Sequence, residues 1–243
     1  MLDIHCHIIP GVDDGSGSMS DSIEMAEISV ESGVTGIVAT PHCNIPRMYD
    51  NYRSEELDKK FLDLSESLKK MGIPVELYCG QEVFLCRGFR ERLKNGDFIT
   101  LNNSRYLLVE FDAREDVSFA LNSIEMVVAE GYVPVAAHPE RYGFVVEDPA
   151  VVNRIRSLGA LIQLNRGSLT GKFGRYIQMT AQSIVENRLA DFVASDAHSQ
   201  YSRTPSLADV HELICENYSY DYAEVLLETN PRKLINNEAV LKF

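Results

Sequence analysis

Apolar residues along the chain recur in two rhythms, and the rhythms alternate. Short apolar runs predict strands at 2–7 (LDIHCH), 36–42 (GIVATPH), 74–83 (PVELYCGQEV), 105–111 (RYLLVEF), 133–138 (VPVAAH), 160–165 (ALIQLN) and 191–196 (DFVASD). Between them, spacings of three and four predict helices. Leu57, Phe61, Leu64, Leu68 and Met71 form one such face, and further helices are expected near 21–32, 118–130, 149–157 and 175–186. The C-terminal quarter reads as helical, with NPRKL (230–234) predicting a break and a helix start at Pro231.

Strands alternating with helices favour a parallel sheet clothed by helices. No Gly/Ser/Pro-rich linker, charge block or repeat divides the sequence, so one domain over 1–243 is expected. A closed or nearly closed β/α barrel is the economical architecture, and an open doubly wound sheet is its competitor. The 243 residues, 45% of them hydrophobic, are enough for a barrel with a sizeable core.

The net charge of −13, with no basic patch, argues against a nucleic-acid partner. No apolar run approaches the roughly 20 residues of a membrane span, and no basic-then-apolar leader opens the chain. Five cysteines without paired spacing read as thiols in a cytoplasmic protein.

The chemistry lies at the strand ends. His5 and His7 end the first strand, with Asp14 in the loop behind; His42, Glu82, Glu110 and His138 end the next four, and Asp196 and His198 end the last. Barrel enzymes gather their chemistry at that face, so these nine residues are expected to converge on metal. In a strand, His5 and His7 point to one side and can grip one ion together. A zinc site takes about four ligands, so nine suit two or three ions that share carboxylates, with Glu82 as the bridge. The N and O donors suit manganese, iron or zinc. Four carboxylates against three divalent ions would leave two positive charges, a host for a phosphate dianion.

The segments DIHCHIIPGVDDG (3–15), TPH (40–42), GQEV (80–83), HPERY (138–142), SDAH (195–198) and NPRKL (230–234), taken in order, resemble the polymerase-and-histidinol-phosphatase (PHP) superfamily. More narrowly they resemble the capsule-biosynthesis tyrosine phosphatases of the CpsB/CapC type from Gram-positive bacteria. The resemblance implies a distorted (β/α)7 barrel with three divalent metal ions, usually manganese. It implies one ion on His5, His7, Glu82 and Asp196, a second on Glu82, Glu110 and His138, and a third on Asp14, His42 and His198. Arg141 and Arg203 would bind substrate phosphate, for which a planar guanidinium fork is suited. The implied reaction is hydrolysis of phosphotyrosine on the tail of a bacterial tyrosine kinase, in control of capsule or exopolysaccharide assembly. Either a metal-bound water or His42 would protonate the leaving phenolate, if that step needs help at all.

The loop CNIPRMYDNYR (43–53) offers Arg47, Tyr49, Tyr52 and Arg53 to frame a cleft, the alternative being an ordinary solvated loop. CRGFRER (86–92) fits the Cys-x5-Arg spacing of cysteine-dependent phosphatases, but it has one glycine and a helical, charge-rich pattern, so it is read as chance. Cys6 is expected to turn away from the histidines into the core, and His211 to lie exposed on a helix. The competing functions are a small-molecule phosphatase such as histidinol-phosphate phosphatase, a PHP-type nuclease, and a non-catalytic, metal-stabilised partner of the kinase. HPERY and NPRKL favour the tyrosine phosphatase over the first, and the charge disfavours the second. The full ligand set with two arginines disfavours the third.

Overall fold

The computed structural model describes residues 1–242. The strands are β1 (Leu2–Cys6), β2 (Gly36–Ala39), β3 (His42–Ile45), β4 (Tyr49–Asp50), β5 (Glu76–Cys79), β6 (Glu82–Phe84), β7 (Tyr106–Glu110), β8 (Val133–Ala137), β9 (Leu161–Asn165) and β10 (Phe192–Ala194). The helices in chain order are α1 (Met19–Glu31), α2 (Glu55–Met71), α3 (Phe89–Asn95), α4 (Val117–Ala129), α5 (Gly143–Glu147), α6 (Val151–Ser157), α7 (Arg166–Leu169), α8 (Arg175–Glu186), α9 (Ala208–Asn217), α10 (Tyr220–Glu224) and α11 (Asn230–Ile235).

Two of the expected strands are broken in the middle. The run 36–42 becomes β2 and β3, and the run 74–83 becomes β5 and β6. β2 and β5 pair with each other, and β2 also pairs with β1, whereas β3 and β6 pair with each other in a larger sheet ordered β10-β9-β8-β7-β6-β3-β4. Each break has a local cause. Pro41 has no N–H for a ladder, and the N–H of Thr40 is spent on the carbonyl of Cys6 at 2.9 Å. At Gly80 an added Cβ would lie 2.9 Å from the side chains of both Leu101 and Val38. The chain bends at these two points, so β2–β3 and β5–β6 each act as one stave. All pairings between staves are parallel, and β4 is an antiparallel hairpin on the edge of β3.

Seven staves therefore follow one another, as the alternating pattern predicts. The last meets the first through Asp196 N–H to the His5 carbonyl and His7 N–H to the Ala197 carbonyl, both 2.9 Å. Below that contact the Asp3 carboxylate accepts from Ser195 N–H (3.0 Å) and Oγ–H (2.5 Å), bridging the seam with a side chain. This is the distorted (β/α)7 arrangement, and the doubly wound alternative fails because β1 and the end of β10 touch.

The lower part of the ring is apolar. Leu2, Ile4, Val38, Leu108, Val135 and Phe192 are buried together, with Leu234 of α11 packed among them. β1 moves from this floor to the polar layer above within a few residues. Its register with β2 slips between Asp3 and Cys6, three steps against two, which marks a bulge. A bulge re-aims the side chains beyond it, so Ile4 joins the floor while His5 and His7 face Glu82. Cys6 sits in the outer core as expected.

Outside the ring, α2 starts at the Ser54 cap, whose side chain accepts from Leu57 N–H, and ends at Gly72 with φ 70°. It buries Leu57, Leu64 and Leu68; Phe61 is only partly covered and Met71, in the last turn, is 56% exposed. The helix expected near 149–157 begins at Val151 and is preceded by the unanticipated α5. NPRKL is not a break. A π-helical turn over Val225–Thr229 runs directly into α11. Pro231 cannot donate to the preceding turn and crowds it, and the wider turn accommodates it without interrupting the helix.

Candidate metal centre

All nine predicted ligands meet at the carboxyl ends of the staves. Ligand atoms of His5, His7, Glu82 and Asp196 lie within 4.8 Å of one another, as do those of His7, Asp14, His42 and His198, and those of His42, Glu82 and Glu110. His138 Nε2 completes the third group, 2.9 Å from Glu82 Oε1 and 3.6 Å from Glu110 Oε1. Glu82 is common to two groups, and so are His7 and His42. His138 and Asp196 stand one and two residues past their strands with positive φ, 36° and 51°. Such backbone costs about 1–3 kcal/mol for a residue with a side chain and is held only by its surroundings.

The first two histidines carry the plainest test of whether metal fits. Gln163 Oε1 lies 2.9 Å from His5 Nδ1, and Asp13 Oδ2 lies 2.7 Å from His7 Nδ1. Both acceptors require a proton on Nδ1, which leaves the two Nε2 atoms as lone pairs. Those atoms face each other at 3.1 Å. Two bare lone pairs so close repel unless a cation lies between them or one ring takes a second proton. Around them His42 Nδ1, His198 Nε2 and Glu82 Oε2 are buried without a well-formed hydrogen bond. A donor set of imidazoles and carboxylates with unsatisfied atoms turned inward fits divalent cations.

Burial and neighbouring charges push these groups in different directions. Burial alone would raise Glu82, but His5 and His42 outweigh it and hold the carboxyl well below its usual range. Glu110 moves oppositely: burial, then the charges of Glu82 and Asp196, push it well up. Burial lowers His138 to about 4, and the Arg141 cation adds to that. Burial opposes protonation of His7, yet Asp13 raises it well above an ordinary imidazole.

Both predicted arginines reach the cluster through one carboxylate. Arg141 Nη1 is 3.1 Å from Asp196 Oδ2, and Arg203 Nη2 bonds the same oxygen while its Nε donates to the Asp196 carbonyl at 3.1 Å. The loop carrying Arg203 folds back so that its carbonyl accepts from His198 N–H at 2.9 Å.

Some positions follow from the tertiary structure alone. Asp13, which the sequence marks only as the neighbour of Asp14, orients His7 and also accepts from His42 N–H at 2.9 Å. Gln163 and Asn165 lie within ALIQLN, a run whose pattern predicts a strand and no more. Gln163 holds His5, and Asn165 Nδ2 donates to Asp196 Oδ2 at 2.6 Å. Two polar residues at period two in a buried strand are the available signal.

The 43–53 loop divides. Tyr49 lies nearly parallel to His42, ring centroids 5.8 Å apart. Tyr52 instead donates to Asn44 Oδ1 at 2.9 Å beneath Arg92, and Arg53 reaches Asn103 at 3.5 Å, so neither frames the metal cluster. CRGFRER leads into α3, and burial raises the Cys86 thiol, opposite to what a nucleophile needs. His211 is half-buried rather than exposed, 3.7 Å from Glu224.

A β/α barrel with an inward-facing His/Asp/Glu cluster defines a metallohydrolase-like class. Within it, the profile of the CpsB/CapC family, capsular polysaccharide synthesis, matches residues 1–236, and the chain belongs to that family. It is 34% identical over 245 residues to the tyrosine-protein phosphatase YwqE of Bacillus subtilis, spanning 100% of this chain and 94% of that one. It is 29% identical over 245 residues to the tyrosine-protein phosphatase CpsB of Streptococcus pneumoniae, spanning 99% and 100%. A solved structure from work on YwqE and CpsB, described as unique metal-dependent tyrosine phosphatases, superposes with TM-score 0.92. It has 32% identity and covers 100% of this chain and 97% of the other.

Proposed function

We propose that this chain is a metal-dependent protein-tyrosine phosphatase of capsule or exopolysaccharide synthesis, acting as one domain on the phosphorylated tail of a bacterial tyrosine kinase. The observation that carries the reading is the His5–His7 pair, whose Nε2 atoms converge at 3.1 Å beside Glu82 and Asp196. Three divalent ions, manganese in our assignment, would be held by His5, His7, Glu82 and Asp196; by Glu82, Glu110 and His138; and by Asp14, His42 and His198. The groupings of ligand atoms support that partition, with His7 and His42 close enough to be shared. Bound there, the ions would supply positive charge for the phosphate and acidify water.

The chain's own residues do the rest. Arg141 and Arg203 converge on Asp196 with side chains about 30% exposed, so their remaining N–H groups can take phosphate oxygens. Asp13 and Gln163 fix the tautomers of His7 and His5. Both ring nitrogens of His42 face carboxylates, Nδ1 3.0 Å from Glu82 and Nε2 3.5 Å from Asp14. That favours a ligand role for His42 over proton donation, and a phenolate leaves readily without it.

The test is turnover of a phosphotyrosine peptide by chelator-stripped protein with manganese restored, beside a phosphoserine peptide and histidinol phosphate. Manganese-dependent turnover confined to phosphotyrosine is expected. Preference for histidinol phosphate would move the chain to small-molecule chemistry. Full metal loading with no turnover would favour a kinase-binding partner.

A further inference from the structure

Beside the metal cluster, and sharing Arg203 with it, lies a cavity of about 240 Å3 walled by Arg166, Lys172, Phe173, Ser202, Arg203 and Thr204. We propose that this cavity is a subsite for an anionic side chain of the substrate, a carboxylate or a second phosphate carried next to the scissile phosphotyrosine. The proposal rests on the phosphotyrosine reading above.

The walls are built rather than incidental. Arg166 is buried, and its fork is occupied by Asp209, Nε to Oδ1 at 2.6 Å and Nη2 to Oδ2 at 2.7 Å. Its Nη1 donates to the carbonyl and hydroxyl of Thr204, both at 3.0 Å. This arginine is a rigid wall whose charge is already matched. Arg203 is fastened to Asp196. Phe173 packs so closely on Gly167 that a Cβ there would come within 2.7 Å of its ring. The Arg141 guanidinium lies 4.9 Å from the same ring centroid, which ties the cavity to the second arginine of the site.

Lys172 is the exception. Its Nζ reaches the Ser202 carbonyl at 3.5 Å, and among the described residues no carboxylate oxygen lies within 4 Å of it. Its charge is felt by Asp209, but both oxygens of that carboxylate are already held by Arg166. Lys172 is exposed at the rim of this cavity, and with Arg203 it sets positive charge beside the metal cluster in a chain of net charge −13. An anion bound there would complete the charge pattern and set where the peptide lies relative to the cluster.

The experiment compares three phosphotyrosine peptides on manganese-loaded enzyme. In the first the residues within two positions of the phosphotyrosine are alanine, in the second aspartate, in the third a further phosphotyrosine. We expect kcat/KM for at least one anionic peptide to exceed the alanine peptide about tenfold, mainly through KM, because such contacts bind ground and transition states alike. Which anionic peptide gains tells carboxylate from phosphate. Lys172→Glu should collapse the ratio to one or below, and Lys172→Arg should keep it. Partial misfolding changes only the active fraction, which cancels in the ratio, so a collapsed ratio reports the lost charge rather than lost fold. Equal kcat/KM for the three peptides, a preference for the alanine peptide, or a ratio that survives Lys172→Glu would each overturn the proposal. Failure of all three peptides to turn over would instead sink the phosphatase reading, and this proposal with it.

Discussion

The two ends of the barrel handle polar groups in opposite ways. At the lower end, Asp191 precedes β10 and is fully engaged: Arg156 Nη1 lies 3.2 Å from both its carboxylate oxygens, Ile162 N–H donates to it at 2.8 Å, and Asn230 Nδ2 donates to its carbonyl at 3.0 Å. Above it the floor of Ile4, Val38, Leu108, Val135 and Phe192 excludes water. At the upper end the same staves carry five imidazoles and four carboxylates, several without a well-formed hydrogen bond, on backbone with positive φ at His138 and Asp196. One end is satisfied by the chain itself. The other turns imidazole and carboxylate atoms inward without a full set of hydrogen bonds, a donor set that suits a bound cation. Stability belongs to the first and chemistry to the second, and the difference can be tested by mutating each end in turn.

The sharpest break is at the top. Glu82→Gln removes the carboxylate common to two ligand groups, and phosphotyrosine turnover should fall by about 100- to 1,000-fold, on the scale of removing a principal electrostatic stabiliser. Metal content by elemental analysis should drop, with far-UV circular dichroism unchanged. Retained turnover would remove Glu82 from the centre. At the bottom, Phe192→Ala should cost about 3–5 kcal/mol in urea unfolding, the usual range for a buried aromatic. Metal per folded molecule should be unaffected. If it falls in step with stability, the two ends are not separable as described.

A smaller effect is expected one layer out from the ligands. Asp13→Asn keeps the shape but loses the charge that orients His7, so metal affinity or activity should fall about 10–100-fold. A titration with manganese that matches the parent protein would show that the backbone alone holds His7.

The smallest effect concerns pH at the lower end. Burial raises the Asp191 carboxyl to about 6, with Arg156 opposing. The folded state therefore keeps a proton that the unfolded chain, near the ordinary value of 3.8, has already lost. The contribution of this group to stability is full below about 4 and is lost as pH rises through about 6. Relative to Asp191→Asn, wild-type stability should decline across that window in urea melts. A constant difference would show that Asp191 titrates normally.

Much of the molecule is legible in residue order. The 3.6 and 2.0 periodicities are local properties, so the alternating elements, the seven staves and the common direction of His5 and His7 can be read along the chain. Residues at the carboxyl ends of parallel strands must converge once a barrel closes, so the nine candidate ligands follow from position, while the two arginines come with the family motifs. Smaller features escape for reasons that are not local. The bends at Pro41 and Gly80 depend on contacts with Cys6, Leu101 and Val38 from other elements. The roles of Asp13, Gln163 and Asn165 depend on which imidazole or carboxylate closure brings against them. Tyr52 reads as a rim residue because a sequence cannot say that Arg92 will cover it.

The amino-acid order by itself determined the alternating staves and helices and the inventory of the metal-seeking end, because burial and strand polarity act residue by residue, whereas closure of the ring was decided in three dimensions. Only the tertiary structure decided how that inventory is shared. The bulge in β1, the positive φ at His138 and Asp196, the joint hold of Arg141 and Arg203 on one carboxylate, and the cavity beside Arg203 rest on contacts between elements distant in sequence, the farthest of them where the last stave meets the first. That contact joins residues almost two hundred positions apart, as in the Asp3–Ser195 pair. No periodicity reaches so far along a chain.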